Sequence, residues 1–245
     1  MADRGSRLEA PELVGRQVAP PRPVPRGARW ARWLGRALVI AALLPALVIA
    51  LYRVVPPPIT PLMLIRSAEG LPIRKHWVPY RAIAPALVGA VLASEDETFC
   101  SHAGFDLGAI REALATYKRT GRLRGASTIS QQTAKNLFLW PDHSLVRKGV
   151  EAYFTVLIEL LWPKQRILEV YLNIIEWGPG IYGAEVAAQS YFGRPAAGLT
   201  SRQAALLAAV LPNPRALSAV HPGPFVERRA DWTQARMAMF TRGCG

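Results

Sequence analysis

Cysteine is scarce in this 245-residue chain, acidic residues are far outnumbered by basic ones, and strand patterns are few. The two cysteines, Cys100 and Cys244, stand 144 positions apart and make no metal motif. A single disulfide between them is left open, so stability must come mainly from a packed core. Seventeen Asp and Glu face thirty Lys and Arg, a net charge of +13. That surplus calls for an anionic partner: nucleic acid, anionic lipid headgroups or a phosphorylated substrate. No internal repeat is present. With few alternating runs, a largely helical fold is expected.

Long apolar runs are missing with one exception. Ala37–Tyr52 is uncharged and almost wholly apolar, sixteen residues or about 24 Å of helix, at the short end for a bilayer core of roughly 30 Å. Leu34 and Val54–Val55 lengthen it, Arg36 and Arg53 can snorkel, and Trp30 and Trp33 suit the headgroup level. A cleaved signal peptide would have a shorter leader and small residues at its exit. Residues 37–55 therefore read as an uncleaved transmembrane anchor. Eight arginines precede it against Asp3, Glu9 and Glu12. The positive-inside rule places residues 1–36, a basic Pro-rich tail, in the cytoplasm. The rest then lies outside the cytoplasmic membrane, where it meets no nucleic acid.

Beyond the anchor, residues 56–83 carry six prolines and read as an irregular connector. The outer domain, 84–245, is a succession of helices. They are expected over Ala86–Phe99, Leu107–Thr120 after an Asp106 cap, Thr128–Phe138 after a Ser127 cap, and Leu145–Leu161. Further ones follow over Lys164–Trp177 behind Pro163, Ala184–Phe192, Ser201–Leu211 with a Thr200/Gln203 capping box, and Phe225–Thr241.

Two carboxylates on largely apolar helices stand out, Glu95 and Glu151. Such a group costs free energy unless it is paired or functional. A second set is basic and amide-bearing: Gln131, Gln132, Lys135 and Asn136 share about two turns of helix, and Arg147 and Lys148 open the next. A helix start bearing Arg and Lys suits a diphosphate.

Five stretches in order resemble the motifs of the peptidoglycan glycosyltransferases. They are Glu95–Asp106, Gly125–Asn136, Arg147–Glu151, Lys164–Phe192 and Leu199–Pro214, within residues 86–215. The chain is similar to the monofunctional biosynthetic transglycosylases, relatives of the N-terminal domains of class A penicillin-binding proteins. Ala126 stands where glycine is usual, Gln203 where glutamate is common, and His143 where some members have arginine.

The resemblance implies an all-α, lysozyme-like domain behind one membrane helix. It implies an enzyme that extends a glycan strand from lipid II, a disaccharide-pentapeptide on a polyprenyl diphosphate. Glu95 and Glu151 are the implied catalytic residues, Glu95 as base and Glu151 on the leaving-group side. Ser127, Gln131, Gln132, Lys135, Asn136, Arg147 and Lys148 would bind substrate. Mg2+ or Mn2+ would sit with the substrate diphosphate, without a dedicated protein cage. The site would face the periplasm from the inner membrane, beside other cell-wall synthesis proteins. Phe99, His102 and Asp106 would shape the first-motif turn. Leu137–Trp140 would form an apolar tip facing the bilayer. The competing readings are a lysozyme-like muramidase or lytic transglycosylase, separable by product, and a non-catalytic membrane scaffold.

Overall fold

The computed structural model describes residues 26–121, 125–142, 144–241 and 243–244; His143, the tail before 26 and positions 122–124 lie outside that range. The chain divides into two units, 1–43 and 44–245. Helix α1 (Arg26–Tyr52) runs through the boundary. Its Trp30–Tyr52 stretch, mean hydropathy 2.4, is long and apolar enough to cross a membrane, about 35 Å at 1.5 Å per residue.

The second unit is helical. Its centre is α3 (Pro85–Glu95), apolar on every face, with Leu87–Ala93 all buried. A short helix with no polar side must be surrounded. α9 (Ser201–Val210), α10 (Pro224–Arg236) and a 3-10 turn at Met237–Phe240 pack against it. Gly89 permits the closest approach: a Cβ there would meet the Met237 carbonyl oxygen at 2.5 Å. A second group joins α5 (Ile129–Phe138) to α6 (Leu145–Leu161) and α7 (Lys164–Ile174). α4 (Leu107–Thr120) and α8 (Ala184–Phe192) complete the set.

Most of these helices start where their caps place them. Asp106 accepts from Ala109 N, Ser144 from Arg147 N, and Thr200 and Gln203 form a capping box. Thr128, rather than Ser127, caps α5. Residues 56–83 are not irregular: they carry α2 (Pro61–Ala68), capped by Thr60 with its proline in the first turn, and Met63 is fully buried. Three short strands, β1 (Arg74–Lys75), β2 (Glu176–Gly178) and β3 (Ile181–Tyr182), form a sheet in the order β1-β3-β2. β1 runs parallel to β3 and β2 antiparallel to it, and β2 ends the helix that the sequence pattern carries on to Trp177. Cys100 and Cys244 are joined in a disulfide, tying the chain's last residues to the loop after α3.

α6 is inside out. Arg147, Glu151, Thr155 and Ile158 are buried, while Val146, Gly149, Tyr153, Val156 and Leu160 form an exposed stripe at i, i+3, i+7, i+10 and i+14. Leu145 and Leu160 are 90% and 75% exposed. In contrast, the 137–140 segment is mostly interior: Leu137 and Leu139 are buried, Phe138 stacks on Phe154 at 4.5 Å, and only Trp140 is exposed. The expected apolar tip is therefore core with one exposed tryptophan, while α6 carries an exposed apolar stripe.

Candidate active site

α3 stops at Glu95, four residues short of the Phe99 end expected from the sequence. Asp96 takes a non-helical backbone (φ −164°) because its carboxylate is claimed from outside the helix. Asp96 accepts the Ile129 N–H at 2.9 Å and meets His102 Nε2 at 3.0 Å. His102 Nδ1 in turn accepts from Gly104 N at 3.0 Å, so Nε2 carries the proton that it donates to Asp96. Thr128 Oγ1 donates to the Gly104 carbonyl at 2.7 Å. Gly104 sits at φ +92°, where a Cβ would also press within 2.8 Å of Thr155. Lys164 donates to the His102 carbonyl at 2.6 Å and lies 4.4 Å over the Phe99 ring. These residues lock the loop after α3 onto the start of α5. Phe99, His102 and Asp106 build the turn.

Glu95 is left facing a cleft of about 890 Å3, whose wall also carries Ser127, Gln132, Arg229 and Trp232. Its side chain is 13% exposed. Gln132 Nε2 donates to Oε2 at 3.0 Å, and Arg229 Nη2 to Oε1 at 2.9 Å. Gln132 is oriented by the Tyr171 hydroxyl, which donates to its carbonyl oxygen at 3.0 Å. Burial pushes the Glu95 carboxyl above the usual carboxylate range, and the Gln132 and Arg229 hydrogen bonds pull against it.

The second carboxylate is differently placed. Glu151 (3% exposed) accepts from Arg147 Nη1 at 3.0 Å and from Lys148 Nζ. Lys148 also reaches Ser127 Oγ at 3.3 Å, which brings this cluster to the edge of the cleft. Lys135 feels both acids. Burial lowers its ammonium's pKa, Glu151 and Glu95 raise it, and Arg147 and Lys148 lower it further.

The expected binding residues thus separate. Ser127 and Gln132 line the cleft. Lys148 borders it through Ser127. Gln131 does not: its carbonyl oxygen accepts the Thr128 N–H in the α5 capping box, and the residue is 5% exposed. Its neighbour Gln132, one position on, turns to the other side and holds Glu95. Arg147 is buried against Glu151, and Asn136 is half-buried one turn after Gln132. Arg229 was outside the expected set. It lies beyond the last motif, and its only signal is the spacing Arg229, Trp232, Arg236, which puts one face of α10 on the cleft.

No group of three or more His, Cys, Asp or Glu that could hold a metal comes together among the described residues. Glu151 already carries two cationic side chains, and Glu95 one. This donor set does not fit a resident divalent ion.

Residues 64–238 match the transglycosylase family, a span that begins within α2 and takes in all of α10. The chain is 55% identical over 215 residues to a biosynthetic peptidoglycan transglycosylase of Rhodospirillum centenum, covering 86% of this chain and 93% of the relative. It is 51% identical over 227 residues to one from Xanthomonas axonopodis pv. citri, covering 90% and 91%. A Pseudomonas fluorescens relative of the same description is 54% identical over 203 residues, covering 80% and 85%. On that family match and these relatives, the chain belongs to the transglycosylase family and is a glycosyltransferase.

Proposed function

We propose that the protein polymerises peptidoglycan glycan strands from lipid II. The growing strand, held by its polyprenyl diphosphate, is the donor, and a new lipid II is the acceptor. The acceptor 4-hydroxyl oxygen attacks the donor anomeric carbon while the carbon–oxygen bond to diphosphate breaks. Polyprenyl diphosphate leaves with the bonding electrons, and the hydroxyl proton passes to Glu95. One displacement inverts the anomeric centre, with two carboxylates on opposite sides of the reacting bond as in inverting glycosidases.

The observation that carries this reading is the pair of unlike acids in one region. Glu95, buried yet open to the cleft, has the setting of a general base. Glu151 anchors Arg147 and Lys148, and with Lys135 they concentrate positive charge where a departing diphosphate gains negative charge. A hydrolase acting on a neutral glycosidic bond has no use for that cluster. The divalent cation implied by the resemblance would be held chiefly by the diphosphate oxygens.

Three features support a site set against the outer face of the inner membrane. α1 supplies a span. The exposed stripe of α6 suits contact with lipid, and Arg53, just after that span, donates to the Leu161 carbonyl beside the end of the stripe at 2.9 Å. A Cys100–Cys244 disulfide forms in an oxidising compartment. Other cell-wall synthesis proteins are partners of this same reading.

The test is product analysis with purified, detergent-solubilised protein, labelled lipid II and Mg2+ or Mn2+. Growth of glycan polymer is expected. Shortening of preformed glycan with no growth would establish a lytic enzyme instead. Absence of both from folded protein would favour a scaffold.

A further inference from the structure

Glu95 sits where a carboxylate is poorly served. It is the last residue of α3, so it meets the negative end of the helix and is also withdrawn from water. Arg229 offsets both. Its Nη2 donates to the Ser94 carbonyl at 3.1 Å, one of the last-turn carbonyls that lack a helical partner, and to Glu95 Oε1 at 2.9 Å. One guanidinium nitrogen therefore caps α3 and grips its terminal acid.

The other charged or titratable groups around Glu95 do not duplicate it. Lys135 of α5 acts on Glu95 through space and is divided between the two acids. Tyr171 of α7 reaches Glu95 through Gln132. Asp96 is paired with His102, and Glu97 with Arg236. On α9 the single titratable side chain, Arg202, is engaged by Glu227 and Asp231, and the 3-10 turn carries none. α10 is itself held in place by those pairs and by the two Arg236–Glu97 hydrogen bonds at 2.7 and 2.8 Å. Arg229 is thus presented to the cleft by a helix that is docked independently of it.

We propose that Arg229 is a positioning residue for the transfer reaction. Tied to the Ser94 carbonyl, it aims the Glu95 carboxylate into the cleft and supplies its counter-charge. The proposal rests on Glu95 being the base that accepts the acceptor's proton.

The experiment is the pH dependence of kcat/KM for lipid II polymerisation by the full-length wild type, Arg229→Met, Arg229→Lys and Glu95→Gln. With the counter-charge gone and burial unchanged, the acid limb of Arg229→Met should move up by at least about one pH unit. Its rate should recover towards the alkaline plateau, and Arg229→Lys should restore most of the wild-type limb. An equal loss at every pH with the limb unmoved would overturn the proposal, since a purely structural role predicts that. If circular dichroism shows Arg229→Met unfolded, Arg229→Gln takes its place: an upward shift of its acid limb supports the proposal, and a limb unmoved from wild type beside a reduced plateau counts against it. An inert Glu95→Gln beside an unmoved limb in both Arg229 variants sinks this proposal alone. A Glu95→Gln that polymerises with the wild-type profile removes the base reading beneath it.

Discussion

Glu95 and Glu151 are both acids on apolar helices, and sequence alone gives them nearly the same description. Their surroundings are opposite. Glu151 is enclosed by an arginine one turn back and a lysine three residues back on its own helix, so its charge is neutralised locally. Glu95 ends its helix, opens onto the cleft, and is held by a neutral amide and a single arginine from a helix 134 positions later. Burial keeps its proton affinity above that of an ordinary carboxylate. In the proposed reaction Glu95 takes a proton, while Glu151 is a strut beneath two cations. Division of labour between like residues is set by partners, not by residue type.

The largest combined effect, on stability and rate together, should fall on the strut. Glu151→Gln strands Arg147 in the interior. The expected loss is roughly 3 kcal/mol, at the low end for a broken buried pair because Lys148 is 43% exposed. Polymerisation should fall along with it. Chemical denaturation beside a lipid II assay checks both, and a Glu151→Gln that keeps full stability and rate would erase the contrast with Glu95.

Next comes the disulfide, which belongs to the Glu95 side because Cys100 lies in the loop that follows α3. Cys244→Ser should cost about 2–4 kcal/mol in thermal or denaturant unfolding. The Arg147–Glu151–Lys148 cluster, on α6, should be untouched, so the unfolding loss of Glu151→Gln should be the same with and without the disulfide. Unequal losses would mean that the two sides are coupled.

Two adjacent glutamines sharpen the comparison at the smallest scale. Gln131→Ala should lower stability by about 1 kcal/mol through the lost capping box, with a normal rate per folded molecule. Gln132→Ala should do the reverse, slowing polymerisation with little change in unfolding, because it frees Glu95 Oε2. Identical behaviour of the two variants would contradict the geometry.

These pairs also show what a sequence can and cannot disclose. Helix starts at Asp106 and Thr200 are legible because the cap lies within three residues of what it caps. The end of α3 is not, because Asp96 is drawn away by Ile129 and His102, groups up to 33 positions distant. α2 hides in a proline-rich stretch whose prolines suggest irregularity although one opens a helix. Strands of two or three residues are too short to show alternation. The motifs locate both acids and the basic cluster, but they cannot tell Gln131 from Gln132, since the direction of a side chain is decided by the helix's packing. Arg229 escapes because nothing near it in the chain hints at Glu95.

The measurement that bears most directly on the account compares Glu95→Gln with wild type in two readouts, lipid II polymerisation and thermal unfolding. Loss of a general base should cut the rate by about 10²–10⁴-fold. Stability should not fall with it. A carboxyl whose proton affinity is raised in the folded state is a burden when ionised, and that burden is relieved as pH drops through its raised value towards 4.5. The variant should therefore match or exceed wild type at neutral pH, with wild type gaining on it as pH falls. A folded Glu95→Gln that still polymerises at the wild-type rate would contradict the account.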